Sequence, residues 1–379
     1  MNNMLDKLNE RQKEAVLATE GPVLVLAGAG SGKTTVLVNR IAYMISEKHI
    51  RPWNILAITF TNKAAREMKD RIERLLGDTA KDMWIGTFHS VCVRILRSCI
   101  DLLGYSRDFV IYDTADTKTV MKECLRELDI DEKSFPVRNV LSIISNAKND
   151  LMDAATFENV YKSDYRMSII AKIYYRYQTK LRKNNAVDFD DIILNTVKIL
   201  SENPDVLSKY QDKFQYILVD EYQDTSPLVI EILLEFIRQR KKKNIIGFFG
   251  DAMQSIYETG IGDIDSYIES GVVYKVEKKQ NRRNPQTVID VANTIRTDGL
   301  VQTSSKDPSA PNMENGMVKQ GSVKFLYSTN FDLGKVKLSS WVNGWDFHNA
   351  QKTKELRLTH NLIADEAGFS NLMAVYDND

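Results

Sequence analysis

The sequence carries no net charge: Lys+Arg and Asp+Glu both number 51 in 379 residues. An overall basic field is therefore excluded, but a local basic face is not, and nucleic-acid binding needs only the local one. Cysteine is scarce. Cys92, Cys99 and Cys124 fit neither a CxxC metal pair nor a disulfide framework. They read as small buried hydrophobes of a reducing compartment. The histidines (His49, His89, His348 and His360) are too dispersed for a metal cluster. No apolar run approaches the ~20 residues that cross a bilayer. The opening residues, Met1–Asp6, show no basic segment followed by an apolar one, so no secretory signal is expected. These absences point to a cytoplasmic protein with no membrane partner. An apolar content of 43% and a charged content of 27% exclude a disordered or fibrous chain. At about 100–200 residues per domain, two or three domains are expected.

What is present is one repeated local pattern: a short apolar run followed at once by polar or Gly-rich residues. Pro22–Ala27 leads into Gly28–Thr34, Ile55–Ile58 into Thr59–Asn62, and Met83–Ile85 into Gly86–His89. Tyr216–Val219 leads into Asp220-Glu221, and Ile245–Phe249 into Gly250-Asp251. Continuous apolar runs suit strands buried on both faces of a parallel sheet. Helical stretches separate them, so the fold class is α/β. Ligands of open α/β sheets bind beyond the carboxyl ends of the strands, where these polar residues fall. Residues 114–187 break the rhythm with helical patterns at Thr117–Leu128, Arg138–Asn149 and Ser168–Lys183. They read as a helical insertion into a first α/β domain made of 1–113 and 188–271. A second α/β unit is expected to begin near Val272–Val276, so 272–379 reads as a further, partial domain. Thr303–Gly321 reads as a loop and Gly321–Tyr327 as a strand.

Ala27-Gly28-Ala29-Gly30-Ser31-Gly32-Lys33-Thr34 has the pattern of a phosphate-binding loop, with Ala where the strict pattern opens on Gly. Glycines let several backbone N–H groups point inward, and the following helix adds its positive end. Lys33 supplies a cation to the β/γ-phosphates and Thr34 a hydroxyl to Mg²⁺. Asp220, at a strand end, can hold Mg²⁺, and Glu221 can deprotonate a water for attack on the γ-phosphate. The chemistry indicated is NTP hydrolysis with Mg²⁺.

These residues stand in a larger set that resembles the UvrD/PcrA/Rep group of superfamily 1 DNA helicases. Leu8–Gln12 is similar to the Q motif, and Gly28–Thr35 to motif I. Ile58–Met68 (ITFTNKAAREM) is similar to motif Ia, and Gly86–Ser90 (GTFHS) to the next DNA-contacting motif. Asp188–Asp191 (DFDD) is a further marker. Asp220–Thr225 (DEYQDT), Gly250–Tyr257 (GDAMQSIY) and Gln280–Pro285 (QNRRNP) are similar to motifs II, III and IV. The resemblance implies RecA-like domains with ATP and Mg²⁺ in the cleft between two of them. It also implies 3′–5′ translocation on single-stranded DNA and unwinding of 3′-tailed duplexes. Gln12 would read adenine, and Ala27–Thr35 would cradle the phosphates. Gln254 would sense the γ-phosphate, and Arg283 would reach it from across the cleft. Phe60, Thr61, Asn62, Thr87, His89 and Tyr257 would contact DNA.

The chain also departs from the family pattern. Arg282 stands where the family usually has a base-stacking Tyr, and Glu258-Thr259-Gly260 where it has Trp-Arg-Gly. No motif V or VI is found, so the resemblance implies a truncated or divergent second half. Two other readings stay open. One is a non-catalytic ATP- and DNA-binding module. The other is the motor subunit of a nuclease or defence complex, with a protein partner supplying the missing parts. Tyr165–Lys183 carries six Lys and Arg, no acid and interleaved tyrosines. It is either a DNA-phosphate surface or a packed helix with a solvated basic face.

Overall fold

The computed structural model describes residues 5, 6, 8–225, 229, 244–255, 273–325, 340–347, 349, 351–354 and 356. Two compact units divide the chain, 1–323 and 324–379. The first is built on a six-stranded parallel sheet. Its strands are β1 (Val23–Ala27), β2 (Ile55–Thr59), β3 (Trp84–Thr87), β6 (Tyr216–Asp220), β7 (Ile245–Gly250) and β8 (Tyr274–Lys278). They lie in the order β3-β2-β6-β7-β1-β8. Two-residue strands β4 (Val110–Ile111) and β5 (Ala186–Val187) pair separately.

The period of two in each strand feeds two cores. Leu24, Leu56, Ile58, Ile217, Val219, Ile246 and Phe248 face one side. Helices α4 (Phe88–Cys99), α9 (Phe189–Glu202) and α10 (Pro204–Lys213) pack there. Val23, Val25, Ile55, Ala57, Leu218 and Phe249 face the other. That side is covered by α1 (Glu10–Leu17), α2 (Lys33–Ser46) and α3 (Asn62–Leu76). Burial on both faces is why β1, β2 and β7 are apolar without alternation. Each fully buried Val, Ile or Leu contributes about 1.5–3 kcal/mol.

Residues 114–187 supply α5 (Thr114–Glu127), α6 (Val137–Asn149), α7 (Ala154–Tyr161) and α8 (Tyr165–Lys183), around a core of their own. Val120, Leu125, Ile144, Ile173, Tyr174 and Tyr177 lie in it. The DFDD segment opens α9, with Asp188 as its N-cap in a capping box with Asp191. Lys148 of α6 reaches both carboxylates, at 2.6 Å and 2.8 Å. Tyr177 donates to Asp188 at 2.9 Å and Gln178 to Asp191 at 2.6 Å. Burial and the neighbouring Asp188 push the Asp191 carboxyl up to about 7. DFDD is thus a polar pin between the inserted helices and α9.

The expected start of a second unit near Val272 is corrected. Tyr274–Lys278 pairs in parallel with β1, from Val23↔Tyr274 to Ala27↔Lys278, and so completes the first sheet. Val276 is buried in the same core as Val25, which leaves no new core for it to open. A two-residue strand, Gln280–Asn281, and a short connection then lead to α11 (Gln286–Ile295). The expected loop Thr303–Gly321 opens instead on a two-residue strand, Thr303–Ser304, paired in parallel with Gln280–Asn281, and contains a small antiparallel pair, Met313–Glu314 with Met317–Val318. Gly321–Phe325, expected as a strand, is not one, and Leu326 and Tyr327 lie outside the described residues.

Candidate nucleotide and DNA site

The phosphate-loop residues follow β1 directly. Ala27 is its last, fully buried residue. Gly30 and Gly32 have φ of 77° and 80°, a region that L side chains rarely adopt, so the loop needs glycine at both. Ser31 Oγ donates to the Gly28 carbonyl at 2.6 Å, closing the curl. Helix α2 begins at Lys33, so its first N–H groups and the loop face one point. Gly28, Ala29, Thr34 and Thr35 complete the segment, with Thr35 exposed.

Two strands away, β6 ends at Asp220. Lys33 Nζ lies 2.7 Å from a Glu221 carboxylate oxygen, so the sheet brings motif I and motif II into contact. Glu221 has φ 52°, a left-handed backbone uncommon for a carboxylate residue. Asp220 is 6% exposed. Burial, with Glu221 beside it, pushes its carboxyl up to about 7, against the pull of Lys33. A hydroxyl from Thr34 and a carboxylate from Asp220 are hard oxygen donors. Mg²⁺ commonly takes one or two such protein ligands and keeps water and phosphate for the rest, so this donor set fits it.

Gln223 was not singled out by the sequence reading. Its amide nitrogen donates to Glu221 at 2.8 Å, and its amide oxygen accepts from the Asp251 N–H at 3.1 Å. It is 1% exposed and ties motif II to motif III. The signal was present in DEYQDT, but only the fold shows what a Gln there can reach. Gln254 donates to Asp251 at 2.6 Å. Arg296 grips the same carboxylate at 2.7 Å and 2.9 Å, from the end of α11.

Gln12 is buried at the start of α1, in a capping box with Asn9. Its amide nitrogen would lie 3.4 Å from a Cβ on Gly32, which puts it beside the loop. Arg283 is brought there too: its Cβ would lie 2.8 Å from a Cβ on Gly30, and the residue is exposed. Arg282, which stands where the family usually has a base-stacking Tyr, pairs with Asp307 at 2.5 Å.

The adjacent carboxyl ends of β2 and β3, paired at Thr59↔Thr87, hold the proposed DNA side. Phe60 is 43% exposed. Thr61 and Thr87 cap α3 and α4 through their hydroxyls, at 3.1 Å and 3.3 Å, and Asn62 is the first residue of α3. His89 lies edge-on to Phe189 at 6.1 Å, and burial holds its imidazole below the usual histidine range, against Asp190. Tyr257 lies outside the described residues. Helix α8 proves largely structural. Tyr174 and Tyr177 are fully buried. Arg176 and Lys180 pair with Glu127, Lys180 also pairs with Glu123, and Arg182 lies over the Tyr105 ring. Tyr165 and Tyr175 are exposed.

Residues 8–271 match the family described as UvrD/REP helicase N-terminal domain. The chain belongs to that family. It is 46% identical over 298 residues to the ATP-dependent DNA helicase PcrA of Bacillus subtilis, which covers 78% of this chain and 40% of that protein. The PcrA proteins of Staphylococcus aureus and Staphylococcus epidermidis are 45% and 44% identical, over 302 and 301 residues, with the same coverage of both chains. The chain thus spans 40% of the length of the curated relatives it matches. The UvrD/REP match ends before β8, although β8 completes the sheet that carries the site. Among the described residues, no helix is long and apolar enough to cross a membrane.

Proposed function

We propose that this chain is the ATP-binding portion of a DNA-dependent ATPase that moves 3′–5′ along single-stranded DNA and opens 3′-tailed duplexes. The observation that carries the reading is the contact between Lys33 and Glu221 at the mouth of the loop. In this arrangement the cation for the phosphates and the base for the water neutralise each other. An incoming triphosphate draws Lys33 onto its β/γ-oxygens, and Glu221 is released to take a proton from the attacking water. Gln223 keeps the Glu221 carboxylate aimed during the exchange. Thr34 and Asp220 would hold Mg²⁺, which would supply positive charge to offset that of the phosphates. Gln12 would support adenine, and Arg283 would meet the γ-phosphate as charge develops there. Phe60 offers a face on which a base stacks, next to Asn62 and His89 at the neighbouring strand ends.

The test is ATP turnover by the purified chain with and without single-stranded DNA. Stimulation by DNA, lost in Lys33→Ala, is the expected result. Stoichiometric ATP binding without DNA-stimulated turnover would overturn the catalytic reading in favour of a binding module.

A further inference from the structure

Among the described residues, the charged groups that act on one buried lysine beside the phosphate loop are cations. Lys278 closes β8 and is 2% exposed. Its Nζ donates to the Ser31 carbonyl. The charged groups that act on it are Arg282 and Lys33, and burial with these two pulls its ammonium down to about 7. The same segment covers the preceding loop carbonyls with neutral donors. Asn281 Nδ2 donates to the Ala29 carbonyl at 2.8 Å, and the Arg282 N–H to that of Gly30 at 3.0 Å. A neutral donor would therefore suffice to brace Ser31 as well. An ammonium buried without an anion is costly.

Lys278 Nζ also lies 3.8 Å from where a Cβ on Gly32 would stand, on the side that Gln12 faces. Lys278 also borders a cavity of about 610 Å³ between the start of α1 and the end of β8, lined by Asn9, Arg11 and Gln280 among others and by no residue of the loop itself. That size is within the range of small-molecule sites. Two acids on its wall, Glu10 and Glu277, are engaged by Lys13 and by Lys275 and Lys279. The anion that would balance Lys278 is thus not supplied by these walls.

We propose that Lys278 is a second phosphate-directed lysine of the nucleotide site, supplied from outside the loop motif. It braces Ser31 in the empty site and lends its charge to the polyphosphate of a bound nucleoside di- or triphosphate. The inference rests on the reading of the loop as an ATP site.

The experiment titrates the full chain and its Lys33→Ala, Lys278→Met and Lys278→Arg variants with ATP and ADP by calorimetry, and records each melting temperature. Lys278→Met should weaken both nucleotides by about ten-fold or more, the value of one charge-assisted hydrogen bond. Its melting temperature should stay level or rise, because a desolvated charge is removed. Lys278→Arg should recover most of the affinity. Wild-type affinity in Lys278→Met would overturn the proposal. So would a lower melting temperature with affinity that Lys278→Arg does not restore, the pattern of a mere brace. No ATP binding by the unaltered chain would sink the nucleotide-site reading itself. Binding that Lys33→Ala abolishes and Lys278→Met leaves intact would sink only the role of Lys278.

Discussion

The phosphate loop and helix α8 both looked like ligand-binding segments in the sequence, and the fold treats them oppositely. Around the loop, Gly30 and Gly32 adopt backbone conformations that only the loop's own curl explains. Lys33 reaches Glu221, just past the end of β6. In α8, the basic residues Arg176 and Lys180 meet Glu123 and Glu127 of a neighbouring helix, and two tyrosines fill a core. The difference teaches which kind of signal survives folding. A motif that prescribes backbone geometry carries its function with it. A composition of charges and rings does not, because any neighbouring acid or apolar face can claim it.

The sharpest way to break this comparison is at the loop. Glu221→Gln should retain ATP binding and lower turnover by about 10²–10⁴-fold, the usual worth of a general base. Turnover within a few-fold of wild type, in a coupled phosphate-release assay, would mean that another group deprotonates the water. A second, smaller effect concerns stability. Lys148→Met leaves Asp188 and Asp191 buried without their cation and should cost about 3–5 kcal/mol in denaturant unfolding. A loss under 1 kcal/mol would show that the DFDD pin is not what holds the inserted helices to α9.

On the DNA side the expected effects are smaller. Phe60→Ala should weaken single-stranded DNA binding by about 1–3 kcal/mol, whatever the sequence, if its ring stacks on a base. Fluorescence anisotropy with two unrelated oligonucleotides measures it, and an unchanged affinity removes Phe60 from the DNA track. Arg176→Ala should move DNA affinity hardly at all and stability by about 0.2–1 kcal/mol, as exposed ion pairs do. A large loss of DNA binding there would reverse the comparison and restore α8 as a nucleic-acid surface.

The last effect depends on pH. Burial works to raise the Asp251 carboxyl, but the bonds from Arg296 and Gln254 outweigh it and hold the group below its ordinary 3.8. The stability it contributes is therefore complete above pH 3.8 and lost as pH falls through the lower folded value. Arg296→Ala should flatten that acid-side loss in unfolding curves taken between neutral pH and about pH 3. An unchanged slope would indicate that the ion pair adds nothing.

The sequence by itself determined the sheet class, the loop, the motif II carboxylates and three of the four helices of residues 114–187, α7 having gone unread. Each of these is written in local terms: an apolar run long enough for a strand, glycines at fixed spacing, a 3.6-residue period. What it left open was where those local pieces come to rest. Tyr274–Lys278 reads as a fresh start because an edge strand looks the same whether it begins a sheet or ends one, and only pairing with β1 decides. Gln223, Lys278 and Arg296 carried no readable role, since their partners lie in segments distant along the chain. Tertiary structure alone decided which cations would serve a ligand and which would be spent on the protein's own acids, because a charge takes whichever partner the packing brings within a few ångströms, and that distance is not written in the sequence.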